Sequence, residues 1–141
     1  RGLTVAFHSP EHTIAHPSRL AGFIIDSQVD DLPAASAFWS AALGLKVTHP
    51  DDGGLGIYDK FEPGPGGLHI EVQKVAHAWR LHLDIETDDI EAEVARLEAL
   101  GAKRIQHVRD RWWVMEAPTG HRFCVVPMDE TSKRGKPNRW A

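Results

Sequence analysis

The sequence predicts an α+β domain built from two copies of a βαβββ module, and two observations carry that expectation. Two amphipathic helical stripes, each led by an Asp-Asp pair and followed by a glycine, stand in the two halves, and short strand-forming runs flank both. The halves also align. IIDSQVDDLPAA lies over HLDIETDDIEAE, matching Asp26 with Asp84, Asp30 with Asp88, Asp31 with Asp89 and Leu32 with Ile90. After a one-residue slip Gly44 meets Gly101 and Lys46 meets Lys103, as expected of an internal repeat.

The elements follow in order. Residues 1–18 carry Pro10 and Pro17 and no sustained period, so they read as an extended arm. His8, His12 and His16 fall four apart, but the prolines interrupt the continuous helix that would align them as metal ligands. Residues 20–29, LAGFIIDSQV, form the first strand. Asp30 and Asp31 then open a helix with Pro33 in its first turn. Ala35, Phe38, Trp39, Ala42 and Leu43 make its apolar stripe, with Phe38 and Trp39 expected in the core, and Gly44 ends it. Strands are expected over 46–48, 54–59 and 68–74, separated by Asp51-Asp52-Gly53-Gly54 and by Pro63-Gly64-Pro65-Gly66-Gly67.

In the second copy, 80–86 alternates as a strand and Asp88 with Glu91 resembles a capping box. Ile90, Val94, Leu97 and Leu100 form the helical stripe before Gly101. Strands over 103–107, 111–117 and 121–127 complete the module, and 128–141 reads as a solvated tail carrying Lys133, Arg134, Lys136 and Arg139. The expected organisation is therefore an arm over 1–18, a domain over 19–127 with modules 19–75 and 79–127, and a tail over 128–141.

Composition narrows the function classes. The chain has 141 residues, 42% hydrophobic and 26% charged, with a net charge of −4. A domain this long buries roughly 70% of its unfolded surface, enough to fold without disulfides or a structural metal. The single cysteine, Cys124, cannot form an internal disulfide and fits a reducing compartment, so cytoplasm is the expected location. No apolar run approaches the roughly 18 residues that span a bilayer, and no signal-peptide pattern opens the chain. The acidic balance, without a basic stripe, excludes a dedicated nucleic-acid binder.

Alternation divides each strand into two faces. Leu81, Leu83 and Ile85 should pack on the helices, leaving Arg80, His82, Asp84 and Glu86 together on the other side. Leu68, Ile70 and Val72 oppose His69, Glu71 and Gln73 in the same way. Phe123 and Val125 oppose Arg122 and Cys124, and Asp26 shares a face with Ile24 and Gln28. If the two copies curl together, these ionisable side chains line a cleft where carboxylate and imidazole can hold a divalent metal or move protons. Trp112 and Trp113 are adjacent on a strand, so one of the two indoles faces the helices and the other is free to stack on a planar ligand.

With the VDDLPAASAFWSAALGL, RLHLDIETDDIEAEVARLEALGA and RWWVMEAPTGHRFCVV segments in view, residues 20–127 resemble the glyoxalase, bleomycin-resistance and extradiol-dioxygenase superfamily, the vicinal oxygen chelate proteins. The resemblance implies two βαβββ modules paired into a curved mixed sheet around a cavity, commonly in a homodimer. It also implies four metal-ligand positions, which fall at Ile24, Glu71, His82 and Cys124. Only Glu71 and His82 keep the usual ligand type, so the ligand set for a divalent metal is incomplete.

The expected roles follow. Glu71 acts as general base and His82 as acid or metal ligand, while Asp84, His69, Trp113, Arg122 and Cys124 contact a small organic substrate. The implied function is that of a lyase, isomerase or oxygenase acting on a small carbonyl or aromatic compound. The alternative is a metal-free, ligand-sequestering protein of the bleomycin-resistance type.

Overall fold

The computed structural model describes residues 15–50 and 56–141, and of His49 and Pro50 only the backbone. The expected turn at 51–54 and the spacing of His8 and His12 lie outside these residues. The class is α+β, with strands β1 (His16–Ser27), β2 (Val47–Pro50), β3 (Tyr58–Phe61), β4 (His69–Lys74), β5 (Arg80–Thr87), β6 (Lys103–Val108), β7 (Trp112–Glu116), β8 (Arg122–Pro127) and β9 (Asn138–Trp140). Two α-helices accompany them among the described residues, α1 (Leu32–Leu43) and α2 (Ile90–Ala99). Pairing is mixed. β1 runs parallel to β4, whereas the β3–β4, β6–β7 and β7–β8 pairs are antiparallel.

The chain divides into two compact units. One comprises Ala21–Asp84 with Thr131–Gly135, and its strands follow the order β2-β3-β4-β1. Asp31 caps α1 by accepting from the Ala34 amide at 3.0 Å, and Gly44 closes the helix at φ 71°, a left-handed conformation that glycine adopts without steric cost. α1 packs on β3 and β4, where Ile25, Leu32, Phe61, Ile70 and Val72 form the core and Ala35 and Trp39 pack against it.

Two expectations fail here. Phe38 is 60% exposed and Leu43 is exposed as well, because the helix turns Leu32 and Ser36 inward instead. Leu81 and Leu83 are about half exposed, since α1 lies over β3 and β4 and leaves their side of β5 uncovered.

The other unit comprises the described residues up to Leu20 with Ile85–Glu130 and Lys136–Ala141. Its α2 is capped by Asp89, which accepts from the Ala92 amide, one residue later than the expected Asp88 box. Val94, Leu97, Met115, Phe123 and Val125 form its core, joined by Ile85 and Trp113. Leu100, the last residue of the expected stripe, is 65% exposed at the C-cap.

The chain ends carry structure that their composition did not announce. β1 begins at His16, inside the stretch expected to be an arm, and pairs His16, Pro17 and Ser18 with Trp140, Arg139 and Asn138 of β9, inside the expected tail. Side-chain bonds hold this pairing. His16 Nε2 lies 2.7 Å from Glu93 Oε1, Arg96 grips both oxygens of Glu93 and stacks on Trp140, and the Trp140 indole donates to Ser18. Burial pushes the Glu93 carboxyl up, but hydrogen bonds from Arg96, His16 and Ser18 outweigh it and hold the group below its ordinary range.

Candidate active site

Three strands of the first unit place their ionisable side chains on the sheet face opposite α1. Alternation sends Phe23, Ile25, Ile70 and Val72 toward the helix, so Ile24 and Asp26 of β1 and His69 and Glu71 of β4 point the other way. The parallel register sets Gly22 beside His69 and Ile24 beside Glu71. At Gly22 an added Cβ would stand 1.8 Å from the His69 carbonyl oxygen, so glycine is required for the two strands to approach this closely. β5 contributes Arg80, His82 and Asp84 by the same two-residue period.

The centre of the array is a histidine between two aspartates. The His82 ring donates from Nδ1 to Asp26 Oδ2 at 2.7 Å, and its Nε2 lies 3.7 Å from Asp84 Oδ1, too far for a hydrogen bond. With the proton on Nδ1, the neutral ring presents the Nε2 lone pair on the Asp84 side. Asp26 and Asp84 are both buried, and the Oδ1 atom of each lacks a hydrogen-bond partner among the described residues. Burial is the main cause that raises the Asp84 pKa from 3.8 to about 6; His82 and His69 oppose the rise, while Glu71 and Asp26 add to it. Arg80 stands at the open end, with Nε 3.6 Å from Asp26 Oδ2.

The structure thus brings His82 and Asp84 together and gives Glu71 a different partner. Glu71 Oε2 lies 3.1 Å from His69 Nε2 along one face of β4. Three further candidates belong to the second unit. Trp113 sits on the helix-facing side of β7, packed against the α2 core and stacked on His107 with ring centroids 4.5 Å apart. Arg122 faces Glu116 across the β7–β8 pair at 3.3 Å. Cys124 is buried on β8, with its side chain directed away from the face of Phe123 and Val125.

Two members of the array escaped selection from sequence. Asp26 carried a signal in its repeat match with Asp84, and Arg80 in its alternation with His82. A separate cavity of about 570 Å³ opens between α1 and the β2–β3 side, lined by Leu32, Ser36, Val47 and Asp59 among others, and it includes none of the imidazoles.

The metal that the resemblance implies can be tested against these donors. At the first ligand position Ile24 offers a buried aliphatic side chain, 3% exposed. Glu71 is committed to His69, and among the described residues it joins His82 in no trio of ligand-type side chains with donor atoms within 4.8 Å of one another. A carboxylate and an imidazole that do not converge cannot anchor one ion in the expected way. The residues present do not fit that four-ligand group.

A family model described as a glyoxalase-like domain matches residues 22–126. No curated protein matches the sequence. Among solved structures, a hypothetical protein from Bacillus halodurans superposes with a TM-score of 0.60 at 15% identity, covering 79% of this chain and 95% of that one. Methylmalonyl-CoA epimerase from Mycobacterium tuberculosis gives 0.54 at 18% identity, covering 79% and 89%. A mutant of 4-hydroxymandelate synthase from Streptomyces coelicolor gives 0.54 at 22% identity, with 89% of this chain matched to 42% of that one. At these identities the likeness establishes a shared fold.

Proposed function

From the premise that this chain belongs to the glyoxalase-like domain family of the vicinal oxygen chelate superfamily, we propose that it is an enzyme of the isomerase or lyase class that moves a proton on a small carbonyl compound. The observation that carries this reading is the Asp26–His82–Asp84 array. His82 Nε2 takes a proton from the carbon next to the carbonyl, so a C–H bond breaks, an N–H bond forms and the electron pair moves onto the carbonyl oxygen. Asp26 holds the ring in the required tautomer and stabilises the imidazolium. Asp84, with a pKa near 6, stands where it can donate and recover a proton close to neutral pH. The base role moves from Glu71 to His82, because Glu71 is paired with His69. The epimerase among the proteins of like fold agrees with this chemical class.

The test is exchange of solvent deuterium into the position next to the carbonyl of small oxo compounds, followed by NMR with the full-length chain. His82→Asn should lower exchange by about a hundredfold or more. Equal exchange by wild type and His82→Asn, or none by wild type across aldehydes, oxo acids and their esters, overturns the reading. The second reading, a metal-free ligand-sequestering protein, is favoured by Ile24 at the first ligand position and predicts ligand binding without exchange. A homodimer belongs to the proposal too, supported by Trp79 exposed just before β5 and Leu81 and Leu83 exposed on it, and light scattering in solution tests it.

A further inference from the structure

Arg80 differs from five arginines that protein partners hold. Arg19 is bonded to Glu86, Arg96 to Glu93, Arg104 to Glu98 and Glu91, Arg122 is paired with Glu116, and Arg134 donates to the Ala21 carbonyl. Each has a partner within 3.3 Å. The Arg80 side chain makes no hydrogen bond among the described residues, and its one ion-pair neighbour, Asp26 Oδ2, is 3.6 Å away and already accepts the His82 proton. Its planar fork of five N–H donors is therefore uncommitted.

Position gives that fork a use. Arg80, His82 and Asp84 follow each other on one face of β5, and side-chain exposure rises from 12% at Asp84 and 14% at His82 to 44% at Arg80. The acid–base pair lies deep and the guanidinium stands at the solvent side, two residues or about 7 Å further along the strand. Asp26 and Glu71 already face His82 and His69, so Arg80 is the member of this face that can accept a second anion.

We propose that Arg80 is the anion anchor of the site and that the substrate is a small organic acid bearing a carbonyl. Its carboxylate lies in the Arg80 fork while its carbonyl end reaches His82. This inference rests on the proton-transfer reading for the position of the reacting end, and the carboxylate anchor can be tested apart from it.

Calorimetric titration of the full-length chain with pyruvate, phenylpyruvate and malonate, with their methyl esters and with inorganic phosphate, tests the anchor. Wild type should bind at least one of the acids more tightly than its ester. Arg80→Gln should weaken that acid tenfold or more and leave the ester unchanged, and Arg80→Lys should fall between, because it keeps the charge and loses the two-pronged contact. Circular dichroism confirms that both variants fold. His82→Asn should bind the acid within threefold of wild type while losing deuterium exchange. Equal acid affinity in wild type and Arg80→Gln, no binding of any acid by wild type, or tighter binding of phosphate than of every acid overturns the proposal. Acid binding lost in Arg80→Gln, with exchange intact in His82→Asn, would instead remove the proton-transfer reading and leave the anchor standing.

Discussion

His82 and Asp26 meet at 2.7 Å across β5 and β1, and this contact decides which ring nitrogen is left for chemistry. The same oxygen of Asp26 is the nearest acid to Arg80, 3.6 Å from its Nε.

Asp26→Asn keeps a hydrogen-bond acceptor for Nδ1 and removes the negative charge that stabilises the imidazolium. Deuterium exchange should fall about ten- to a hundredfold, while acid affinity measured by calorimetry stays within a few-fold. A loss of binding as large as the loss of exchange would mean that Asp26 only shapes the site.

Asp84 makes stability depend on pH in a definite direction. Its pKa lies near 6 in the folded chain against 3.8 ordinarily, so between about pH 4 and pH 6 the folded state holds a proton that the unfolded state releases. Stability should decline as pH rises through that window, and the deficit is complete above it. Asp84→Asn removes the deficit, which is at most about 3 kcal/mol at pH 7. Urea melts should show the variant gaining at pH 7 and matching wild type near pH 3.5, and an equal change at both values would contradict the assignment.

Glu93 acts in the opposite sense. Its pKa is held below the usual 4.5, so its contribution is present above that value and fades as pH falls through the folded-state pKa. Glu93→Gln leaves Arg96 and His16 facing a neutral amide and should cost about 3–5 kcal/mol at pH 7. The difference from wild type should shrink in strongly acidic urea melts. A constant difference at every pH would point to packing alone.

Gly22→Ala should prevent normal folding or cost more than about 4 kcal/mol, because the new methyl would overlap the His69 carbonyl on the neighbouring strand. Thermal melts of this variant beside Gly44→Ala separate steric overlap from backbone strain. At Gly44 the space is open and only the left-handed φ of 71° opposes a side chain, so the cost there should be near 1 kcal/mol.

Periodicity and repetition are local properties, and they made much of this protein legible from its residues. The Asp31 cap and Gly44 stop, the alternation that separates His69 and Glu71 from Ile70 and Val72, and the repeat that led to the glyoxalase-like fold all depend on neighbours within a few positions or on the order of elements. What the side chains touch was decided by tertiary structure. Leu81 and Leu83 alternate correctly and are still exposed, because burial requires a helix overhead and α1 covers β3 and β4. Glu71 and His82 share a face and find separate partners, His69 and Asp26, because strand register sets distances that alternation cannot. Trp113 faces the α2 core because sheet orientation chose between two adjacent indoles. His16 and Trp140, 124 positions apart in sequence, meet as paired strands over a buried glutamate, and no local pattern encodes a contact made by the two ends of the described chain.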